Sequence, residues 1–126
     1  MKIALFENEL HKVEVQFDIC NKVFFKDSLE INTFTNSQVF GDINEISNYD
    51  LAIIDISLSS HSDKDGYNLI AQILKLQKQP KLLILTGSGN IQSGLEERKL
   101  PFIPIMEKPV DAVDIANKIK EVMKTK

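Results

Sequence analysis

The chain reads as an α/β protein, a three-layer (βα)₅ sandwich built on a parallel sheet, and three observations predict it. Five short strand-like runs alternate with helix-like stretches from one end to the other. The third and fourth, Asp50 to Asp55 and Lys81 to Thr86, are nearly continuous apolar runs, as expected of central strands covered by helices on both faces. Four runs also end in polar side chains: Glu7-Asn8, Asp55, Thr86-Gly87 and Glu107-Lys108-Pro109. A parallel α/β sheet collects ligands just beyond the carboxyl ends of its strands, so these acids, hydroxyl and lysine are expected to converge. Their chemistry suits a Mg²⁺-assisted phosphoryl site.

Taken in order, the strand runs are Ile3 to Phe6, Glu30 to Thr35, Asp50 to Asp55, Lys81 to Thr86 and Phe102 to Met106. The first intervening stretch carries two patterns. Val13, Val15, Phe17 and Ile19 alternate as in a half-exposed strand, whereas Leu10, Val13, Phe17, Cys20 and Phe24 follow a 3-4-3-4 spacing. The helix is preferred because a crossover must connect neighbouring parallel strands. Val39, Ile43 and Ile46 predict a second helix, and Leu69, Ile70, Ile73 and Leu74 a third. The fourth, Ile91 to Lys99, is short, with Gly94 inside it and only Ile91 and Leu95 as large apolar residues. The last is the clearest: Asp111 can cap it, Asp114 suits its first turn, Ile115, Ile119 and Val122 form its stripe, and lysines crowd its C-terminal half.

Composition narrows the function classes. A chain of 126 residues without repeats or linker-like tracts predicts a single domain, 1–126, with no output domain attached. A charged fraction of 26% with a net charge of only -3 creates no field that would attract nucleic acid or an anionic bilayer. Only four apolar residues separate Lys2 from Glu7, too few for a signal-peptide core, and no run approaches the length that spans a bilayer. The expectation is a cytoplasmic protein with no membrane or nucleic-acid partner. One cysteine, Cys20, forms no internal disulfide and, with two distant histidines, no structural zinc site. It reads as a small buried apolar residue.

Together the segments Lys2-Ile3-Ala4-Leu5-Phe6-Glu7-Asn8-Glu9, Tyr49 to Asp55 with Asp65-Gly66, Leu83-Ile84-Leu85-Thr86-Gly87 and Lys108-Pro109 resemble the receiver domains of bacterial two-component response regulators, CheY-like single domains included. The likeness covers essentially the whole chain. It implies a flavodoxin-like sheet of order 2-1-3-4-5. It also implies that Asp55 is a phosphoacceptor, charged by a sensor histidine kinase or a histidine phosphotransfer protein, with Mg²⁺ held by Glu7, Asn8, Asp55 and the Ser57 backbone carbonyl. Lys108 is then the phosphate-binding lysine and Thr86 the switch hydroxyl. The output would go to a downstream protein target or a homodimer through the face of the fourth helix, fifth strand and fifth helix. Such a protein is no enzyme beyond catalysing its own phosphorylation and dephosphorylation.

Two departures bear on that expectation. Asn8 stands where the family usually has a second acid, and losing one charge beside Mg²⁺ leaves a site weaker by about 1–3 kcal/mol, roughly ten- to hundredfold. Ile105 stands where the family has an aromatic switch partner. Phe102 is close in sequence, but an odd offset along a strand reverses its side. The segment from Ile56 to Asp65 is longer than usual and reads either as a local lid or as a solvated insertion.

Each residue also has a plainer reading. Asp55 and Lys108 alone would be a structural ion pair, Glu7 a solvated acid and Thr86 a turn hydroxyl. His11 and His61 lack a placed nucleophile and read as solvated, and Gly87-Ser88-Gly89 matches no phosphate-loop spacing. Four matching strand ends tip the balance toward a site. The alternative function is a pseudo-receiver, an interaction module that keeps the fold without phosphorylation. An enzyme acting on a phosphorylated small molecule ranks third, for want of a substrate-sized insertion.

Overall fold

All five strand-like runs fold as strands: β1 (Lys2–Phe6), β2 (Glu30–Phe34), β3 (Leu51–Asp55), β4 (Lys81–Thr86) and β5 (Ile105–Glu107). They hydrogen-bond in parallel in the order β2-β1-β3-β4-β5, the flavodoxin-like arrangement. The computed structural model describes residues 1–56, 66–87 and 91–124, so Ser57, His61 and the expected lid after Ile56 lie outside the described residues. Helices α1 (Glu14–Phe24), α2 (Ser37–Phe40), α3 (Gly66–Ile73), α4 (Ile91–Glu97) and α5 (Ala112–Lys124) complete the sandwich.

The alternation of side chains along each strand divides the core in two. Ile3, Leu5, Leu51, Ile53, Leu83 and Leu85 pack with Phe17 and Cys20 of α1 and with Ile115, Ile119 and Val122 of α5. Ala4, Phe6, Ala52, Ile54 and Ile84 face the other way, against α3 and α4. All five residues of β3 are buried, which is why it reads as an unbroken apolar run. Each large aliphatic side chain taken fully from water contributes about 1.5–3 kcal/mol. This ladder therefore fixes both the register and the direction in which Asp55 leaves it.

In α1 the helical pattern prevails over the alternating one. Val13, Phe17 and Cys20 are buried while Val15 and Ile19 face solvent. Phe24 departs from the expected stripe. It lies past the end of the core and is exposed, and Phe25 packs against the core in its place. The helix is followed by a tight return in which Asn21 both donates to the Leu29 carbonyl (2.9 Å) and accepts from its N–H (3.0 Å).

Two elements differ from expectation. The second helix breaks at Gly41: α2 is a single turn capped by Asn36, and Ile43–Asn48 forms a separate 3₁₀ turn capped by Asp42. Val39 is consequently exposed, and Ile46 is the residue that anchors this crossover. The fifth strand begins at Ile105, not Phe102. Pro101 and Pro104 have no N–H to give a ladder, although the Pro104 carbonyl still accepts from Ile84 N at 2.9 Å.

The fourth helix forms from Ile91 to Glu97 with both apolar residues buried, and Gly94 has a packing reason. A β-carbon there would overlap the ring and hydroxyl of Tyr67 at the start of α3. Arg98 then stacks its guanidinium 4.0 Å from the centre of the same ring. Asp111 caps the last helix as expected, accepting from Asp114 N at 2.8 Å.

Candidate functional site

Register sets the site. Phe6 pairs with Ile54, and Asp55 with Leu85, so Glu7 and Asp55 leave neighbouring strands at the same level. On the other side Thr86 pairs with Glu107, and the backbone N–H of Lys108 donates to the Thr86 carbonyl at 2.7 Å, tying the lysine to the end of β4. Glu7, Asp55 and Lys108 continue the parity of Leu5, Ile53 and Met106, so all three leave toward the α1 and α5 side of the sheet. Thr86 has the opposite parity and is fully buried one residue past the partner of Asp55.

The three charged side chains meet. Lys108 Nζ lies 2.5 Å from Glu7 Oε1 and 3.2 Å from Asp55 Oδ2. Glu7 and Asp55 are almost wholly removed from water. Two carboxylates so placed are costly unless a cation or a proton intervenes, and here both devices operate. Burial, together with a hydrogen bond to Asp55, pushes the Glu7 carboxyl up to about 7 against the pull of Lys108. Burial alone would lower the Lys108 ammonium, but the two acids outweigh it and hold its pKa above the ordinary lysine value. The Lys108–Pro109 peptide bond is cis.

The oxygen donors are hard ones. Glu7 Oε1 and Asn8 Oδ1 are buried oxygens, and Glu7 Oε1 meets Lys108 without a well-directed hydrogen bond, so its lone pairs still face the site. Among the described residues no three His, Cys, Asp or Glu side chains converge as metal ligands. A cation here would thus rest on two carboxylates and a neutral amide oxygen, a set that fits Mg²⁺ with retained waters and suits no softer ion.

Beside the triad an open cleft of about 430 Å³ runs between the start of α1 and the chain after β5, lined by Glu9, Lys12, Gln16, Lys108 and Pro109 among others. Lys12 bonds Glu9 at 2.7 Å and holds that carboxyl below its usual range. Sequence reasoning missed this cleft, and it missed the direct contact between Glu7 and Lys108. Nothing in the spacing of 7, 55 and 108 shows which acid the lysine prefers. Of the expected site residues, the structure brings together Glu7, Asp55 and Lys108 and buries Thr86 next to them, while Ser57 lies outside the described residues. Ile105 is half-buried against the α3 and α4 core, and Phe102 is exposed ahead of β5, so neither places a ring near Thr86.

With that geometry in view, the family model of the response regulator receiver domain matches residues 13–120. The chain belongs to the response regulator receiver family. The receiver domain of NtrX from Brucella abortus superposes with a TM-score of 0.73 over 98% of this chain and 99% of that one, at 22% identity. A CheY-like receiver protein from Methanospirillum hungatei gives 0.71 over 98% and 93%, at 21% identity. The BeF₃-activated receiver domain of DrrB, a Thermotoga maritima protein, gives 0.74 over 98% and 97%, at 16% identity. At such identities these likenesses speak for the fold. In sequence, the acid tolerance regulatory protein ActR of Rhizobium meliloti is 36% identical over 64 residues, 51% of this receiver and 31% of ActR. The receiver thus matches less than a third of that relative's length. No described helix of the receiver is long and apolar enough to cross a membrane.

Proposed function

We propose that this receiver accepts a phosphoryl group on Asp55 from a phosphohistidine, in a Mg²⁺-dependent transfer. The observation that carries the reading is the triad: a buried carboxylate at the end of the central strand, 3.2 Å from a lysine ammonium and level with a second acid. An oxygen of Asp55 forms the new bond to phosphorus as the phosphorus–nitrogen bond of the donor imidazole breaks, and the departing nitrogen is left with the electron pair and takes up a proton. Lys108 moves with the charge, from the free carboxylate to a phosphoryl oxygen. Glu7, Asn8 and Asp55 would hold Mg²⁺, with the Ser57 carbonyl completing the set. When bound, the ion neutralises charge on the carboxylates and the incoming phosphoryl group. Thr86, buried beside Asp55, would donate to the new phosphate. The family resemblance further supports a histidine kinase or phosphotransfer protein as donor, and a protein target or second copy on the α4, β5 and α5 face as receiver of the signal.

One observation favours a second reading. Lys108 approaches Glu7 more closely than Asp55, so the acids are already neutralised from within the chain. A pseudo-receiver, an interaction module kept folded by this internal pair, would look like this. Intact mass after incubation with Mg²⁺ and a small acyl phosphate separates the two. The phosphoacceptor gains one phosphoryl group, and loses that gain in Asp55→Ala or without metal. An unchanged mass with acyl phosphate and with a phosphohistidine protein as donor would establish the interaction module instead.

A further inference from the structure

Helix α1 has a second apolar face, one that the core does not use. Val15, Ile19 and Val23 are 62%, 42% and 63% exposed. At 100° per residue they fall in one band about 80° wide, turned away from Val13, Phe17 and Cys20. Singly exposed apolar residues are ordinary, but three in line over two turns make a stripe. Asp18 and Lys22 lie along one flank of it, both exposed. They stand four residues apart, a spacing at which oppositely charged side chains commonly pair. No ion pair between them is formed among the described residues.

We propose that this face pairs with the same face of a second copy of the chain, the two α1 helices antiparallel about a two-fold axis at Ile19. The charge pattern picks out this occupant. An isologous contact brings residue i of one copy to j of the other and j to i. With the axis at Ile19, Val15 opposes Val23 of the second copy, and Asp18 falls ~3 Å along the axis from Lys22 of the second copy. The flank is therefore self-complementary and makes its ion pair twice. A parallel arrangement would set Asp18 against Asp18 and Lys22 against Lys22. Gln16, at the other edge of the stripe, also lines the cleft that holds Lys108 and Pro109. Pairing consequently narrows the approach to the triad, a consequence that rests on the phosphoacceptor reading, whereas the pairing itself does not.

Sedimentation equilibrium of the full chain, from micromolar to near-millimolar, tests this without any phosphorylation. The wild type should show a monomer–dimer equilibrium. Ile19→Glu should be monomeric throughout. Asp18→Lys, which sets like charges together twice, should raise the dimer dissociation constant about tenfold or more. The double exchange Asp18→Lys with Lys22→Asp should return it to near the wild-type value. All these positions are exposed, so unchanged circular dichroism melts are expected and separate lost pairing from lost folding. A wild type monomeric at every concentration would overturn the proposal, as would a dimer indifferent to Ile19→Glu and Asp18→Lys, which must use another face. A monomer whose α1 variants lose only phosphotransfer from a phosphohistidine protein would assign the stripe to that protein instead.

Discussion

Replacing Glu7 by Gln tests the electrostatics of the triad without touching Asp55. Glu7 is fully buried and its carboxyl is pushed up to about 7 from an ordinary value of 4.5. At about 1.4 kcal/mol per unit, that is on the order of 3 kcal/mol. The unfolded chain releases this proton near 4.5 and the native chain holds it until about 7, so between those values the native state binds more protons. Stability from Glu7 is thus complete below the lower value and is lost as pH rises through the upper one. Denaturant unfolding of metal-free protein at pH 5 and pH 8 reads it directly. Wild type should be less stable at the higher pH by up to ~3 kcal/mol, relative to a Glu7→Gln variant that lacks this titration. Equal pH slopes in the two proteins would refute the claim that the triad stores a proton on Glu7.

Three further outcomes follow from the same geometry. Asn8→Asp should tighten Mg²⁺ binding about ten- to hundredfold in a calorimetric titration, whereas unchanged affinity would remove Asn8 from the metal set. Lys108→Ala leaves two buried acids without their cation, and unfolding at pH 8 should show a loss on the order of 3 kcal/mol that shrinks at pH 5, where Glu7 takes up a proton. Cys20, whose thiol burial raises to about 11, should resist alkylation at pH 8 until denaturant is added; rapid native labelling would contradict its place beneath α1.

Which parts of this were legible in the sequence follows from where the physics is local. The apolar runs of β3 and β4 announce a sheet covered on both faces, because nothing but burial explains five and more apolar residues in line. The stripe and cap of α5 are equally local signals. The break of the second helix was not legible, since the apolar spacing continues across Gly41 while the backbone does not. Nor was the late start of β5: Phe102 and Ile103 look like strand residues until the flanking prolines are weighed. Gly94 reads as a weakness of the fourth helix and proves to be the place where Tyr67 and Arg98 lock it to α3, a contact between residues 27 and 31 positions apart that no periodicity reveals.

The site divides along the same line. That Glu7, Asp55 and Lys108 converge follows from strand ends in a parallel sheet, so the order of the motifs sufficed. How the lysine divides itself between two acids depends on distances of a few tenths of an ångström set by packing around all three. That division is also what decides how readily a metal or a phosphoryl group enters.

The most direct measurement on the central claim is to phosphorylate the chain with Mg²⁺ and a small acyl phosphate, reduce the product with borohydride, and map the modified residue by peptide mass spectrometry. The account predicts that a single position is converted, Asp55, only when Mg²⁺ is present, and much less in Lys108→Ala. Conversion at another residue, or at Asp55 to the same extent without metal, would contradict it.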